Sequence, residues 1–363
     1  MRKFPSLVPF KAGPHALDPH GVERLALSES PFGASPKALA AARAEVERIN
    51  HYPNSDTEPL RGALASHYGV PADWVLVGNG ADELILLTVL ATCAAGGRGV
   101  TTERTFAGYT AAFETAGLTT RLVPLDENGP DVDELVEQAR TADITIVCNP
   151  HNPLGRALDS DEIRRVHQAT VEGNGVLVLD EAYAEFAVPQ DFTSGLTDIT
   201  DTDNIVVLRT FSKAYGLAGL RCGYAIGSPR IIDAMAGLRT VLPYNVNRVA
   251  IAAATAALQD QDHLRHVVHD SIVSRTLLSE GLARYGIRCL PSQANFVLAE
   301  VGPQREAFVQ QLVSEHAIQV RDGRSLGFDR HVRIGVCRPD TVARVVSAVA
   351  DVHDRLTTPA GVL

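Results

Sequence analysis

Four short polar segments of this 363-residue chain carry side chains that could bind and activate a small molecule. Each segment directly follows a run of apolar residues. The segments are Gly78-Asn79-Gly80-Ala81-Asp82, Asn149-Pro150-His151-Asn152, Asp180-Glu181-Ala182-Tyr183 and Thr210-Phe211-Ser212-Lys213. Together they offer an anion-binding turn, an amide, a carboxylate beside a phenol, and a lysine that is soon followed by Arg221.

The lysine carries the most specific chemistry of these side chains. Only four of the 33 basic residues are lysines, and Lys213 is the only lysine after residue 37. A buried lysine with a lowered pKa reacts with aldehydes, and Arg221 offers a two-pronged donor for a phosphate. Considered alone, a lysine such as Lys213 is more often a solvated surface residue.

The other three segments also have ordinary interpretations. A glycine turn that opens a helix binds anions through free N–H groups, but Gly78-Asn79-Gly80 also suits a simple turn. Asn152 could orient a ligand hydroxyl or lie in a loop that prolines make rigid. Asp180 follows a buried strand and needs a partner there, which could be a protonated ring nitrogen or the turn that follows.

Continuous apolar runs predict strands immediately before the four segments, at residues 74–77, 144–148, 176–179 and 205–208. Helical patterns such as residues 160–172 lie between several of these runs. This alternation predicts an α/β domain with a largely parallel sheet. Because ligands of such sheets bind at the carboxyl ends of the strands, we expect the four segments to meet in one crevice.

The chain divides into three predicted regions. Residues 1–35, which contain five prolines and three glycines, are predicted to form an arm that packs on the small domain. Residues 36–245 form the large domain and residues 246–363 a smaller α+β domain. Ser35 and Pro36 predict the start of a helix, residues 250–285 a long helical stretch, and residues 296–298 and 332–336 short strands.

Composition excludes several classes of protein. The net charge of -10 argues against a nucleic-acid surface, and the longest apolar stretch, residues 84–95, is shorter than the ~20 residues that a bilayer requires. Without an apolar run of signal-peptide length near residue 1, the expected location is the cytoplasm. Five dispersed cysteines predict reduced thiols and no metal site.

The combined segments resemble fold-type I pyridoxal-phosphate enzymes, and specifically the histidinol-phosphate aminotransferase family with its aromatic-aminotransferase relatives. The stretch from Arg209 to Gly223 is similar to the lysine motif of that family. Further similar motifs are His51-Tyr52-Pro53 and Ser292-Gln293-Ala294-Asn295-Phe296. The resemblance extends from about residue 9 to residue 338, and it implies pyridoxal 5'-phosphate as cofactor and a homodimer with shared active sites.

The resemblance also implies roles for individual residues. Lys213 would bind the cofactor covalently and move the substrate α-proton, and Asp180 would keep the pyridine nitrogen protonated. Asn152 and Tyr183 would hydrogen-bond the ring oxygen, and Phe106 would stack on the ring. The residues implied to hold the phosphate are Gly80, Ala81, Asp82, Ser212 and Arg221, with Tyr52 reaching across the dimer interface.

The substrate side departs from the family pattern. Arg333 matches the arginine that binds the α-carboxylate, and Arg321 resembles the one that meets a distal phosphate, although a solvated loop position is the alternative for Arg321. Phe10 stands where the family has a tyrosine that helps to hold histidinol phosphate. The other departures lie in His151-Asn152-Pro153-Leu154-Gly155, Ser28-Glu29-Ser30-Pro31 and Gly335-Val336-Cys337-Arg338.

We therefore predict a pyridoxal-phosphate-dependent aminotransferase of the histidinol-phosphate or aromatic type. It would act on a small-molecule amino donor, glutamate by the resemblance, and on a carbonyl acceptor. One alternative is a decarboxylase or oxidase that acts at the α-carbon, because geometry decides which bond breaks. The other is a non-catalytic cofactor-binding regulator. Phe10 further predicts that histidinol phosphate is a poorer substrate than an aromatic amino acid.

Overall fold

The structure is a computed structural model that describes residues 21–188, 190, 192–197 and 204–357. The strands are β1 Glu23–Leu25, β2 Val75–Gly78, β3 Arg98–Thr102, β4 Thr119–Val123, β5 Leu125–Asp126, β6 Gly129–Pro130, β7 Ile144–Cys148, β8 Val176–Asp180, β9 Ile205–Thr210, β10 Gly223–Gly227, β11 Cys289–Leu290, β12 Phe296–Glu300, β13 Ile318–Asp322 and β14 His331–Gly335. The α-helices are α1 Pro36–Val46, α2 Glu58–Tyr68, α3 Ala81–Thr92, α4 Gly108–Ala116, α5 Val132–Ala139, α6 Ser160–Glu172, α7 Pro229–Leu238, α8 Arg248–Gln259, α9 Gln261–Ala283, α10 Arg305–His316 and α11 Val342–Thr357.

A seven-stranded sheet in the order β2-β10-β9-β8-β7-β3-β4 forms the centre of the larger part of the molecule. Strand β10 runs antiparallel to both of its neighbours, and the other paired strands are parallel. Along β8, Leu177 and Leu179 face one apolar core, whereas Val176 and Val178 face another. Helices therefore cover both faces of the sheet, which explains the continuous apolar runs in the sequence.

A five-stranded sheet in the order β1-β13-β14-β12-β11 forms the centre of the smaller part of the molecule. It packs on α9, α10 and α11 around a core of its own. Strand β1, which comes from the predicted arm, pairs in parallel with β13, and the remaining pairs are antiparallel. This mixed sheet joins β1, among the first described residues, to strands that lie between residues 289 and 335.

The predicted elements agree with the structure to different degrees. The predictions of β7 and α6 match at every residue, and the Ser35 side chain caps α1 by accepting a hydrogen bond from the Ala38 N–H at 3.0 Å. The single helical stretch predicted for residues 250–285 is wrong, because it is interrupted at Asp260, whose φ and ψ of -96° and 62° are not helical. The Asp260 carboxylate accepts a hydrogen bond from Lys37 Nζ at 3.1 Å, a contact that a local pattern does not reveal.

The residues that pack on the large sheet and those that pack on the small sheet are not separated at a single point of the chain. Helix α8 follows the predicted boundary at residue 245, yet it packs on α1 and α2 in a core of the large sheet. The domain limits at residues 35 and 245 remain predictions. Among the described residues, no helix has both the length and the apolar character needed to cross a membrane.

Candidate active site

A cavity of about 290 Å³ lies between the carboxyl edge of the large sheet and the small sheet. It collects side chains that are far apart in the sequence. The predicted site residues that line it are Ala81, Asp82, Phe106, Asn152, Asp180, Tyr183, Ser212, Lys213, Arg221, Arg321 and Arg333. The expected meeting of four strand ends in one crevice is therefore present.

One end of the cavity is built to receive an anion. Helix α3 begins at Ala81, directly after Gly80, whose φ of +85° favours glycine. A side chain at Gly80 would also meet Arg221 Nη2 at 2.7 Å. Arg221 donates to Ser212 Oγ at 3.2 Å and to Asp82 Oδ2 at 2.8 Å. A helix N-terminus, a hydroxyl and a guanidinium thus converge, which is the donor set that a phosphate requires.

Lys213 lies in the middle of the cavity wall. Its Nζ donates to the Leu27 carbonyl oxygen at 2.9 Å and lies 5.6 Å from the centre of the Tyr183 ring. Burial and, after it, the positive charge of Arg333 lower the pKa of Lys213 to about 8. About a tenth of the amine is therefore neutral at pH 7 and able to act as a nucleophile or a base.

Asp180 ends β8 and is a buried member of the cavity lining. Its Oδ2 accepts a hydrogen bond from Tyr109 Oη at 2.6 Å, and its Oδ1 accepts one from the Ala182 N–H at 3.1 Å. Burial raises the pKa of Asp180 to about 6, and the hydrogen bond from Tyr109 opposes that rise. A buried carboxylate of this kind is stabilised by a cationic partner, such as a protonated ring nitrogen.

The sequence analysis missed Tyr109. This residue is fully buried in α4, and its ring meets the ring of Phe106, which precedes the helix, edge to face at 5.4 Å. Its signal in the sequence was its position three residues after Phe106, which the resemblance places on the cofactor ring. Only the fold reveals that Asp180 lies opposite.

At the other end of the cavity, Arg333 of the small sheet contacts Asn152, which follows a strand of the large sheet. Its Nη1 donates to Asn152 Oδ1 at 2.5 Å, its Nη2 donates to the Ala26 carbonyl oxygen at 2.8 Å, and its guanidinium lies 5.0 Å from the centre of the Phe296 ring. Within the described residues its buried Nε has no hydrogen-bond partner. Burial lowers the pKa of Arg333 from its usual value. The group is therefore fixed in place with a donor to spare.

Arg321 stands directly opposite Arg333 on the neighbouring strand. The two residues are register partners in the antiparallel pair β13–β14, and both line the cavity. Burial lowers the pKa of Arg321 as well. Like charges at directly opposed positions of a sheet repel each other, so an anionic ligand between them would stabilise the pair.

Among the described residues, two predicted site residues, Gly80 and Tyr52, are absent from the cavity lining. Tyr52 is 81% exposed and stacks on Tyr244, with ring centres 4.7 Å apart, outside the lining of the cavity. Phe10 lies outside the described residues.

Two departures from the family pattern are packing positions. Leu154 is buried in an apolar cluster with Leu298 and Phe328. The ring of His151 lies 3.1 Å from Thr102 Oγ1 through Nε2. Burial lowers the pKa of His151 to about 3, so its ring is neutral. Both substitutions therefore change the support of the cavity and add no charge to it.

The fold and the site together define a transferase of fold type I, with a lysine, a carboxylate and an anion-binding helix end at the carboxyl edge of a mostly parallel sheet. A family model described as aminotransferase class I and II matches residues 21–349. Histidinol-phosphate aminotransferase 2 of Pseudomonas fluorescens is 36% identical over 341 residues, which cover 93% of this chain and 91% of that protein. The histidinol-phosphate aminotransferase of Roseobacter denitrificans is 36% identical over 329 residues, or 90% of each chain.

Solved structures agree with these similarities. The crystal structure of histidinol-phosphate aminotransferase from Sinorhizobium meliloti in complex with pyridoxal-5'-phosphate has a TM-score of 0.85 and 31% identity, and covers 92% of each chain. Aspartate aminotransferase from Thermus thermophilus with maleate, at 21% identity, a TM-score of 0.79 and 91% coverage of each chain, shows the shared fold alone. This chain belongs to the aminotransferase class I and II family. The predicted family, fold class and enzyme class are confirmed.

Proposed function

We propose that this aminotransferase uses pyridoxal 5'-phosphate to move an amino group between glutamate and the carbonyl form of a second substrate of the histidinol-phosphate or aromatic type. The observation that carries the proposal is the placement of Lys213 between two anion-binding ends of one cavity, Arg221 with Ser212 at one end and Arg321 with Arg333 at the other.

The residues present fit the proposed cofactor. The Gly80 turn, which a side chain would obstruct, and the Arg221 guanidinium suit its phosphate. The buried carboxylate of Asp180 suits its pyridine nitrogen, and Lys213 supplies the amine that an aldehyde requires. When bound, pyridoxal phosphate supplies an aldehyde and an electron-accepting ring.

Each of these residues then has a separate role in the reaction. Lys213 Nζ takes the proton from the substrate α-carbon and returns it, because its lowered pKa keeps proton transfer easy in both directions. Asp180, held by Tyr109, offers a negative charge to the ring nitrogen. Asn152 and Tyr183 orient the ring oxygen, and Phe106 covers the face of the ring.

The paired arginines limit the substrate class. Two adjacent guanidinium groups match either two carboxylates or one doubly charged phosphate. Glutamate presents two carboxylates, and histidinol phosphate presents a phosphate. An aromatic amino acid presents only one carboxylate, which Arg333 alone would bind.

A half-reaction without an acceptor tests the function. The enzyme loaded with cofactor is mixed with L-glutamate. The absorbance of the cofactor is recorded, and the release of CO₂ and of peroxide is measured in the same sample. We expect conversion of the aldehyde form of the cofactor to its amine form, with 2-oxoglutarate as the product. L-Glutamine, which has nearly the same shape but no second charge, is the matched control and is expected to react more slowly. Release of CO₂ or peroxide in place of 2-oxoglutarate would establish one of the alternative reactions.

We further propose a homodimer in which Tyr52 completes the phosphate site of the second subunit. Tyr52 lies outside the cavity of its own chain, and exposed apolar residues precede both Tyr52 and its stacking partner Tyr244 in the sequence. The most exposed of these are Ile49 at 68%, Val241 at 80% and Leu242 at 57%. A large exposed apolar patch favours association, and a second copy of this chain is the occupant that gives Tyr52 a function.

Mixed dimers test the shared site. Tyr52→Ala protein and Lys213→Ala protein are mixed under conditions that exchange subunits, which is checked with differently sized tags. Each mixed dimer would contain one site with both changes and one with neither. We expect activity above the sum of the two parents, whereas exchange without any gain would contradict the sharing.

A further inference from the structure

The turn before α3 is held from outside the cavity by a chain of side chains. Glu83 Oε2 accepts a hydrogen bond from the Asn79 N–H at 2.6 Å, and Glu83 Oε1 accepts one from Asn245 Nδ2. Arg239 donates to Asn245 Oδ1 at 2.8 Å and to the Val77 carbonyl oxygen at 2.6 Å. None of these five residues is part of the cavity lining.

The turn needs such support because Asn79 has one glycine on each side of it, Gly78 and Gly80. Glycine has the largest conformational freedom of any residue. Gly78 cannot carry a side chain, since its Cβ would meet Leu84 at 2.7 Å, and Gly80 has a φ of +85°. Fixing the N–H of the residue between them therefore sets the direction in which the backbone enters α3.

We propose that Glu83 and Asn245 are positioning residues for the phosphate of the cofactor. Glu83 holds the turn, and Asn245 holds the Glu83 carboxylate while Arg239 anchors Asn245. The free N–H groups of Ala81 and Asp82 are thereby aimed at the anion site beside Arg221. This inference rests on the proposed cofactor and extends it to residues that do not touch the phosphate.

An exchange of hydrogen-bonding roles provides a sharp test. Asn245→Asp has almost the same shape as the native side chain but places a carboxylate against the Glu83 carboxylate. Adding Glu83→Gln restores one donor and one acceptor, because the new amide oxygen can accept from the Asn79 N–H and its NH₂ can donate to the new carboxylate. The double variant should therefore recover what the single variant loses.

The measurement is the dissociation constant of the cofactor-free protein for pyridoxal phosphate and for pyridoxal, which has no phosphate. We expect Asn245→Asp to weaken pyridoxal phosphate by at least ~10-fold and to leave pyridoxal within about twofold. The double variant should return most of the lost affinity. Asn204→Ala is the control, because Asn204 donates to the Gly175 carbonyl oxygen at 2.8 Å away from the cavity.

Four outcomes would count against the inference or its basis. Equal loss for both ligands would assign the pair a general structural role and overturn the inference. Unchanged affinity for pyridoxal phosphate in a folded Asn245→Asp protein, or a double variant no better than a folded single one, would also overturn it. Failure of the unaltered chain to bind pyridoxal phosphate would refute the proposed cofactor, and this inference with it.

Discussion

The anion-binding turn and the arginine pair, at opposite ends of one cavity, are built in different ways. At the turn, Gly80 and Asp82 lie within one short motif at the start of α3, and Ser212 and Arg221 lie nine residues apart after β9. At the arginine end, Arg333 is held by groups 181 and 307 residues away in the sequence. Local motifs thus specify most of the anion-binding turn. The position of the arginine pair depends instead on how the large and small sheets pack together.

The largest effect is expected between the two ends, at Lys213. Lys213→Ala should lower turnover by ~10⁴-fold or more, because the nucleophile and the proton carrier are lost together. Cofactor affinity should fall less, since the phosphate contacts remain. Borohydride reduction and peptide mapping should label Lys213 in the unaltered enzyme, and Lys213→Arg should stay inactive although it keeps the charge. A label on Lys37 would contradict the assignment.

Asp180 should follow, with a loss of turnover of ~10³-fold in Asp180→Ala. A charge that stabilises the electron-accepting ring acts mainly in the transition state. The phosphate end of the cavity is unchanged in this variant, so cofactor affinity should fall much less than turnover. Steady-state kinetics and cofactor titration of the same preparation separate the two effects. Near-normal turnover would remove Asp180 from its proposed role.

The contrast between the two ends also explains what the sequence could predict. The strands β7, β8 and β9 each contain a run of mainly apolar residues, and a polar candidate segment follows each run, so both element and site were visible. Lys213 and Asp180 were found in this way. Tyr109 was not, because its partner is 71 residues away and no local motif connects them.

The support of the turn was missed for the same physical reason. Asn245 and Glu83 are 162 residues apart and meet only because the segment after α7 folds back on the start of α3. The contact between Lys37 and Asp260, the non-helical residue between α8 and α9, also joins residues that are far apart in the sequence. Periodicity describes a chain one element at a time, and these contacts join elements.

Removing the arginines one at a time would show whether the substrate end works as a pair. Arg333→Leu should weaken glutamate, histidinol phosphate and phenylalanine alike. Arg321→Leu should weaken the first two by about 2–5 kcal/mol and leave phenylalanine nearly unchanged. The values of kcat/KM for the three substrates measure the difference. Arg324→Leu, an exposed arginine outside the cavity lining, is the control; equal losses in Arg321→Leu for all three substrates would contradict the division of roles.

A smaller effect with a defined pH dependence is expected from Tyr109→Phe, which removes only a hydroxyl. That hydroxyl donates to the Asp180 carboxylate and opposes the rise of the Asp180 pKa to about 6. Without it the pKa should increase, so the carboxylate is protonated up to a higher pH. The acidic limb of the kcat/KM profile should therefore move to higher pH, with a loss of about tenfold near pH 6. Tyr285→Phe, at an exposed tyrosine, should leave the profile unchanged; the same profile in Tyr109→Phe would separate Tyr109 from the titration of Asp180.

The smallest effect concerns Phe10, where the resemblance implies that a tyrosine would offer a hydroxyl to a substrate phosphate. Phe10→Tyr would restore one donor while Arg321 and Arg333 continue to supply the charge. One additional hydrogen bond corresponds to about 0.5–1.5 kcal/mol, so we expect histidinol phosphate to gain about two- to tenfold in kcat/KM and phenylalanine to gain nothing. In the unaltered enzyme, phenylalanine or tyrosine should be turned over faster than histidinol phosphate. Faster turnover of histidinol phosphate by the unaltered enzyme, with no gain in Phe10→Tyr, would show that the arginine pair holds the phosphate without help from residue 10.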